Sequence, residues 1–312
     1  MIIMVANVES MFYVRTTPWH GLGTRVEEAL TSKDALHYSG LDWKVEQEAL
    51  MTETFHDVEG FKANVRSDNR AVLGVVSNRY QVVQNEEAFA FTDALVGEGV
   101  TYETAGSLNG GRRVWLLAKL PEKYQLVGDT VEPYVVFTNS HDGSAAIRMA
   151  CTPVRVVCQN TLNLALNTAR RSWAMNHTSR VQTKLDEARD ALFRANQYLD
   201  ALQEEAERLS MQRLTDKKVL QWIDELLPLA DDATEMQKTN VTKLRSDLTH
   251  RYFDAPDLVV LPKTGWRFIN AVSDFATHAQ PIRATKDYQK NLFVKTIDGH
   301  PVIDKAMQLL AV

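Results

Sequence analysis

The stretch from Thr104 to Arg171 constrains the fold most strongly, because apolar runs, arginines and aromatic residues interleave most tightly there. Three of its segments have the alternating pattern of strands, and a fourth has the composition of a helix. In chain order they read GGRRVWLLAKLPE, PYVVFTNS, SAAIRMACTPVRVV and CQNTLNLALNTARR. The sequence therefore predicts a three-stranded antiparallel meander followed by a helix.

The turn between the second and third of these strands predicts their register. Asp142–Gly143 is a strong hairpin signal, and a two-residue loop there pairs His141 with Ser144 and Phe137 with Arg148. Side chains alternate between the two faces of a sheet. One face is therefore predicted to carry Val136, Thr138, Ile147 and Met149, and the other Phe137, Asn139, Ala146 and Arg148.

The segments before this block predict an irregular start and then a mixture of helix and strand. Residues up to Val26 include the turn-rich phrase TTPWHGLGT around His20. A helix capped by Thr31 or Ser32, a strand from DWKVEQEAL and a hairpin that turns at Ser67–Asn69 are predicted next. Asn85 is predicted to cap a further helix.

The segments after this block predict helices. Apolar or small residues recur at heptad spacing from Val181 to Leu209, which predicts a long amphipathic helix. We interpret the apolar stripe of this helix as a packing contact within the chain, and the alternative is an oligomer interface. Shorter helices are predicted after Thr215, from Thr234, near Trp266 and after Pro301. Strands followed by helices indicate an α+β fold, with an α+β domain at 1–172 and a helical region at 173–312 that can pack as one unit.

Composition excludes several classes of protein. The chain has 312 residues, 45% of them hydrophobic and 24% charged, as in a globular protein with a sizeable core. Its formal net charge of -5 excludes a globally basic polyanion binder, so nucleic-acid binding would require a local basic patch. Cys151 and Cys158 lie in apolar contexts and are interpreted as buried free thiols. No signal peptide or membrane span is evident, which predicts a soluble cytoplasmic protein.

No motif predicts catalysis, a metal or a cofactor. Ser140, His141 and Asp142 are adjacent in a tight turn and would point apart, so we interpret them as turn residues. The eight histidines form no metal-binding pair, and GSLNGGRR lacks the lysine of a P-loop. The sequence therefore favours a non-enzymatic protein.

The strand RRVWLLAKL suggests a binding surface. Val114, Leu116, Ala118 and Leu120 form an ordinary core face, whereas Arg113, Trp115, Leu117 and Lys119 alternate cations with an aromatic ring. Single-stranded nucleic acid is bound by this combination, since cations contact phosphates and rings stack on bases. The alternative is that this face is solvated or covered by helices. The candidate nucleic-acid-binding residues are Arg66, Arg70, Arg79, Tyr80, Arg112, Arg113, Trp115, Lys119, Phe137, Arg148, Arg155, Arg170 and Arg171.

Several phrases resemble a phage- and plasmid-like protein family of unknown function, domain of unknown function 932. They include PWHGLGT, SNRYQVVQNEEAF, FTNSHDGSAAIRMACTPVRVVCQNTLNLAL and GWRFINAVSDFATH. The resemblance implies a mobile genetic element in a bacterial host cell. The order of elements is also similar to the core of Rad52-type single-strand annealing proteins, which form rings around a basic groove.

Together these observations predict a protein that holds or anneals single strands, DNA rather than RNA, during recombination or replication. A homo-oligomer is expected, because a single patch on an acidic chain binds a polyanion weakly. The alternative is a protein-binding module, for example an inhibitor of a host defence protein, that acts through the acidic helical half. A hydrolase or nuclease is a third, less supported possibility.

Overall fold

The α+β class predicted from the sequence is confirmed. A computed structural model of the chain describes residues 8–14, 24–28, 31–96, 100–155, 172–178, 184–279 and 300–311. Two compact units are present, and both are discontinuous in sequence. One comprises residues 1–121, 134–151 and 171–195, and the other 122–133, 152–170 and 196–312. The division thus differs from the single boundary after residue 172 that the sequence predicts.

The described residues contain eleven strands and eight helices. The strands are β1 (Val8–Val14), β2 (Thr24–Val26), β3 (Val45–Met51), β4 (Asp57–Arg66), β5 (Val72–Ser77), β6 (Thr101–Leu108), β7 (Arg113–Lys119), β8 (Tyr124–Leu126), β9 (Asp129–Ser140), β10 (Ile147–Arg155) and β11 (Ser172–Met175). The helices are α1 (Ser32–Tyr38), α2 (Asn85–Val96), α3 (Leu185–Met211), α4 (Asp216–Leu226), α5 (Glu235–Asp254), α6 (Pro256–Val259), α7 (Gly265–His278) and α8 (Pro301–Leu310).

The larger sheet has eight strands, and seven of them follow the order β11-β10-β9-β7-β6-β1-β2, with β8 paired to β9. The predicted meander is present as β7, β9 and β10. The sequence patterns missed five strands: β1, β2, β6, β8 and β11. Strands β2, β8 and β11 have only three or four residues, and β6 mixes polar residues with a glycine. Such segments show no clear alternation of apolar and polar side chains. The helix predicted after Cys158 and the phrase around His20 lie outside the described residues.

A separate three-stranded sheet has the order β3-β4-β5 and confirms the predicted strand and hairpin. The β4–β5 turn places Arg70 at φ 59°. At the edge of this sheet, the Gln84 amide bonds both the N–H and the C=O of Val45, each at 2.9 Å. Gln84 thereby satisfies the backbone groups of Val45 that would otherwise stay open at a strand edge.

Helices α1 and α2 have different kinds of N-terminus. Thr31 forms the predicted cap of α1 and completes a capping box with Asp34. The prediction that Asn85 caps α2 is wrong, because its side chain instead bonds the carbonyl of Leu41 and the ring of His141. The backbone bond from Ala88 N to Gln84 O begins the helix one residue earlier.

The second unit contains helices α4 to α8. Trp222 and Phe268 pack with their ring centroids 5.4 Å apart. The guanidinium of Arg267 is buried and donates hydrogen bonds to backbone carbonyls, among them those of Tyr252 and Leu261. Helix α6 is a single short turn between α5 and α7. Arg267 therefore stabilises the carbonyl ends of α5 and α6.

The heptad seam of α3 is buried within the chain. Leu199, Leu202, Ala206 and Leu209 are at most 1% exposed. The interpretation as an intramolecular contact is therefore confirmed at these positions, and they cannot provide an oligomer interface. Among the described helices, none combines the length and apolar composition that a membrane span requires.

We expect Gly106→Ala to destabilise the protein strongly. A Cβ at this position of β6 would lie 2.4 Å from the Ser10 carbonyl oxygen and 2.6 Å from the ring of Trp115. Since backbone on one side and a buried ring on the other must move, the free energy of unfolding should fall by about 3 kcal/mol. Urea denaturation measures this decrease.

Gly60→Ala is the matched control, because a Cβ at Gly60 meets no atom within 4 Å although its φ is +84°. The positive φ alone should cost about 1 kcal/mol. Equal destabilisation of the two variants would show that crowding at Gly106 is unimportant.

Candidate nucleic-acid interface

Strand β7 has the core face that the sequence predicts, but its opposite face is mostly covered. Val114 and Leu116 lie in the hydrophobic core. On the other face, Trp115 is 7% exposed and Lys119 is 8% exposed, while Arg113 is half-buried. The prediction that Trp115 stacks on a base is therefore wrong, because its ring is not accessible.

Phe137 lies on the core face, which corrects a second prediction. In the β7–β9 register Phe137 is opposite Leu116, and it is 1% exposed. Ile147 and Met149 belong to the same core cluster, so the predicted separation of Phe137 from them is wrong. The predicted two-residue turn is also wrong, because β9 ends at Ser140 and β10 begins at Ile147, which leaves six residues between them.

Two of the predicted arginines serve the structure instead of a ligand. The Arg66 guanidinium is buried 4.3 Å from the Trp43 ring centroid and pairs with Asp68 at 2.7 Å. Arg70 is exposed, but it forms ion pairs with both Glu46 and Glu48. Their charges are thus compensated locally, and neither side chain is a good phosphate ligand.

Tyr80 is also occupied within the fold. It is 8% exposed, its hydroxyl donates to the carbonyl of Ser140, and its ring stacks on His177 at 4.4 Å. Burial raises the pKa of Tyr80 well above its usual range, so the hydroxyl remains protonated. Tyr80 therefore holds the end of β9, and one face of its ring is already covered by His177.

The other predicted arginines have different environments. Arg79 and Arg112 are exposed, and Arg148 is half-buried. Arg155 ends β10, but its side chain lies outside the described residues. Arg170 and Arg171 also lie outside the described residues. Among the predicted cations, Arg79 and Arg112 are thus the ones that the structure shows to be exposed and leaves without a described ion pair.

The loop after β9 is fixed by His141, which is completely buried. Its Nε2 lies 2.8 Å from Oδ1 of Asn85, its carbonyl accepts from the Asn64 amide at 2.7 Å, and its N–H donates to the Arg112 carbonyl at 2.8 Å. Since an amide oxygen can only accept, Nε2 carries the ring proton. Burial lowers the pKa of His141 to about 3, so the ring is neutral at physiological pH.

Asp142 continues the same loop. Its carboxylate accepts from Ser140 Oγ at 2.7 Å and from the Ser144 N–H at 2.9 Å. Burial would raise the pKa of Asp142, but these hydrogen bonds and the charge of Arg113 outweigh burial and lower it. Ser140 thus ends β9, whereas His141 and Asp142 lie in the loop that follows, and the imidazole bonds Asn85 rather than the serine.

A cleft of about 340 Å³ lies beside this loop. It is lined by polar and small residues: Ser77, Tyr80, Gly143, Ser144, Ala145, Ala146, Asn176, His177 and Thr178. His177 is 5% exposed and its Nδ1 donates to the Gln81 carbonyl at 3.1 Å. In the described structure its Nε2 is a buried acceptor without a hydrogen-bond partner. The imidazole therefore borders the cleft, while this nitrogen itself stays buried.

The structure gathers several predicted residues around Ser140 and Asp142, and we name this group the arginine corner. It comprises Arg66, Arg79, Tyr80, Arg112 and Arg113. Backbone pairing places Arg113 opposite Ser140, and Arg79 directly precedes Tyr80. Four arginines less the two carboxylates of Asp68 and Asp142 give a formal charge of +2, on a chain whose net charge is -5.

Several residues that build this corner were not found from the sequence. Asn64, Asn85 and His177 are buried polar residues that bind from other elements, and Gly74 allows β5 to approach the loop. A Cβ at Gly74 would lie 2.7 Å from the Asp142 Cα. A single sequence carries no local signal for such contacts. Within the described residues, no three histidine, cysteine or acidic side chains are placed to hold a metal ion.

Comparison with known proteins places the chain in a family. A family model described as a domain of unknown function, DUF932, matches residues 72–295. The chain belongs to this family. The DUF932 match contains the arginine corner except for Arg66, and it contains the cleft. Neither the curated proteins nor the solved structures contain a significant match to the chain.

The stability of this DUF932 protein should fall in mild acid. The folded state keeps His141 neutral because its pKa is about 3, whereas the unfolded chain protonates it below the ordinary histidine pKa of 6.5. Protonation therefore favours unfolding as the pH falls from 6.5 towards 3, by up to about 1.4 kcal/mol per pH unit. The lowered pKa of His177 acts in the same direction. Chemical denaturation at several pH values in this window measures the slope.

His141→Gln should be less stable overall but should show a shallower pH slope, because one of the groups that titrate on unfolding is gone. His37→Gln is the control, since it removes an imidazole that is 75% exposed instead of a buried one. If the pH slope of the unfolding free energy is the same in His141→Gln as in the unmodified protein, the assignment of a lowered pKa to His141 is wrong.

Proposed function

We propose that this protein binds single-stranded nucleic acid at the arginine corner, with Arg79, Arg112 and Arg113 as phosphate contacts. The observation that carries the proposal is the formal charge of +2 at the arginine corner of an acidic chain, where Arg113 pairs with Ser140 and the Arg112 carbonyl accepts from His141. Such a local excess attracts a polyanion although the whole protein is negative.

The cleft beside the corner supports contacts to bases. Exposed hydroxyl and amide groups of Ser77, Ser144 and Asn176 line it, and such groups donate to and accept from the edges of bases. This replaces the stacking on Trp115 and Phe137 that the sequence predicts, since both rings are buried.

The biological setting in the proposal is the recombination or replication of a phage or plasmid in the bacterial cytoplasm, with DNA as the expected strand. It is supported by the family resemblance of the sequence, while the family itself has no assigned function. A homo-oligomer remains part of the proposal, but the buried α3 positions Leu199, Leu202, Ala206 and Leu209 are not its interface.

Replacing the exposed arginines should weaken binding in a salt-dependent way. We expect the double variant Arg79→Ala/Arg112→Ala to bind a labelled single-stranded oligonucleotide less tightly. The slope of log affinity against log salt should fall by about 0.7 for each phosphate that the variant no longer neutralises. Fluorescence anisotropy at several salt concentrations measures both quantities.

Arg70→Ala is the matched control, because Arg70 is exposed but paired with Glu46 and Glu48. Its affinity and salt slope should equal those of the unmodified protein. Absence of binding by the unmodified protein even at low salt would refute the proposed function. If the double variant binds as tightly as the unmodified protein, the binding site is not the arginine corner.

A further inference from the structure

The three-stranded sheet has an outer face that exposes apolar side chains. In its register Phe61 pairs with Ser77, and Val72 pairs with Val65, which places Phe61, Val72 and Val75 on one side. These three are 51%, 55% and 55% exposed. Monomeric proteins rarely leave large apolar side chains together in water without a functional reason.

The turn that joins β3 to β4 exposes Phe55 even more completely, at 86%. Phe55 also has φ 60°, in the left-handed region that non-glycine residues seldom adopt. A large aromatic residue there is both strained and solvated, although asparagine or glycine would fit without that cost. Backbone outliers of this kind concentrate at functional sites.

Hydrogen bonds hold this turn in one conformation. The Thr52 N–H donates to the His56 carbonyl at 2.8 Å, and the Phe55 N–H donates to the Thr52 carbonyl at 2.9 Å. The hydroxyls of Thr52 and Thr54 and the His56 ring continue the network at 3.0 Å each. Phe55 is thus presented on a preorganised turn, and preorganisation lowers the entropic cost of binding.

Charge around the turn identifies the kind of partner. Glu53, Asp57 and Glu59 are exposed on the same hairpin, while Glu46 and Glu48 are paired with Arg70. This acidic border repels nucleic acid and anionic lipid surfaces, and it attracts a cationic surface.

We propose that Phe55, with the outer face of β3–β5, docks a partner protein that presents an apolar pocket or ridge surrounded by lysine and arginine. Phe55 is the aromatic anchor, and Glu53, Asp57 and Glu59 meet the cationic rim. The site is independent of the nucleic-acid proposal. Phe55 and Phe61 precede residue 72, where the DUF932 match begins, so the match does not include them.

Three synthetic peptides of equal length test the chemistry by calorimetric titration into the full chain. One is an amphipathic lysine–leucine peptide, one replaces its lysines with glutamate, and one replaces its leucines with serine. We expect the lysine–leucine peptide to bind at least about tenfold more tightly than either of the others, because both apolar contact and positive charge are needed.

Phe55→Asn should weaken that binding by at least about tenfold, as for a central anchor. Its Tm should stay equal or rise, because asparagine tolerates the left-handed conformation. Met236→Gln is the matched control: Met236 is 74% exposed on α5, so removing an exposed apolar side chain there should not change binding.

Each of the other outcomes would overturn the proposal. Unchanged binding by Phe55→Asn would exclude Phe55 as the anchor, and a large decrease in Tm would give it a structural role. Equal binding of the lysine–serine peptide would reduce the interaction to charge alone. If light scattering shows self-association that Phe55→Asn abolishes, the surface binds a second copy of this chain instead. If the protein binds anionic vesicles in a Phe55-dependent way, the surface binds a membrane instead.

Discussion

The hydrogen bonds of the buried His141 are the interactions on which the described site depends. They join the loop after β9 to β4 through Asn64, to α2 through Asn85 and to the segment before β7 through Arg112. Only the bond to Asn85 is made by the imidazole, and burial keeps that ring neutral because burial penalises the charge. The bonds to Asn64 and Arg112 are made by the backbone of His141, which thereby positions the backbone of Arg112 and the start of β7, while the Arg112 side chain stays in solvent.

Sequence patterns predicted the features that depend on neighbours along the chain. The cap at Thr31 and the helix starts at Thr215 and Thr234 are present because in each case the threonine hydroxyl accepts from an amide only three residues away. The core face of β7 and the seam of α3 follow equally from the period of apolar residues. In these cases the local pattern and the packed structure agree, which is why the α+β class could be predicted.

The faces of β9 and β10 could not be predicted in this way. A two-residue hairpin at Asp142 and Gly143 satisfies local turn chemistry, but the structure uses a six-residue loop. The longer loop lets His141 reach Asn85 and lets Asp142 pack against Gly74, both distant in sequence. Tertiary hydrogen bonds thus outweigh the local turn preference, and Phe137 packs in the core opposite Leu116 of β7. The burial of Trp115 also depends on another strand. Its ring packs against Gly106 in β6, a strand that the sequence pattern did not reveal.

The net charge of -5 conceals two surfaces of opposite character in the first unit. The arginine corner is locally positive, whereas the hairpin that carries Phe55 is acidic and apolar. They share a border, because Ser77 lines the cleft and pairs with Phe61 on the outer face. A substitution at Phe61 would therefore disturb both surfaces and identify neither. Arg112 and Phe55 lie away from that border, at the start of β7 and at the β3–β4 turn, so each reports on one surface alone.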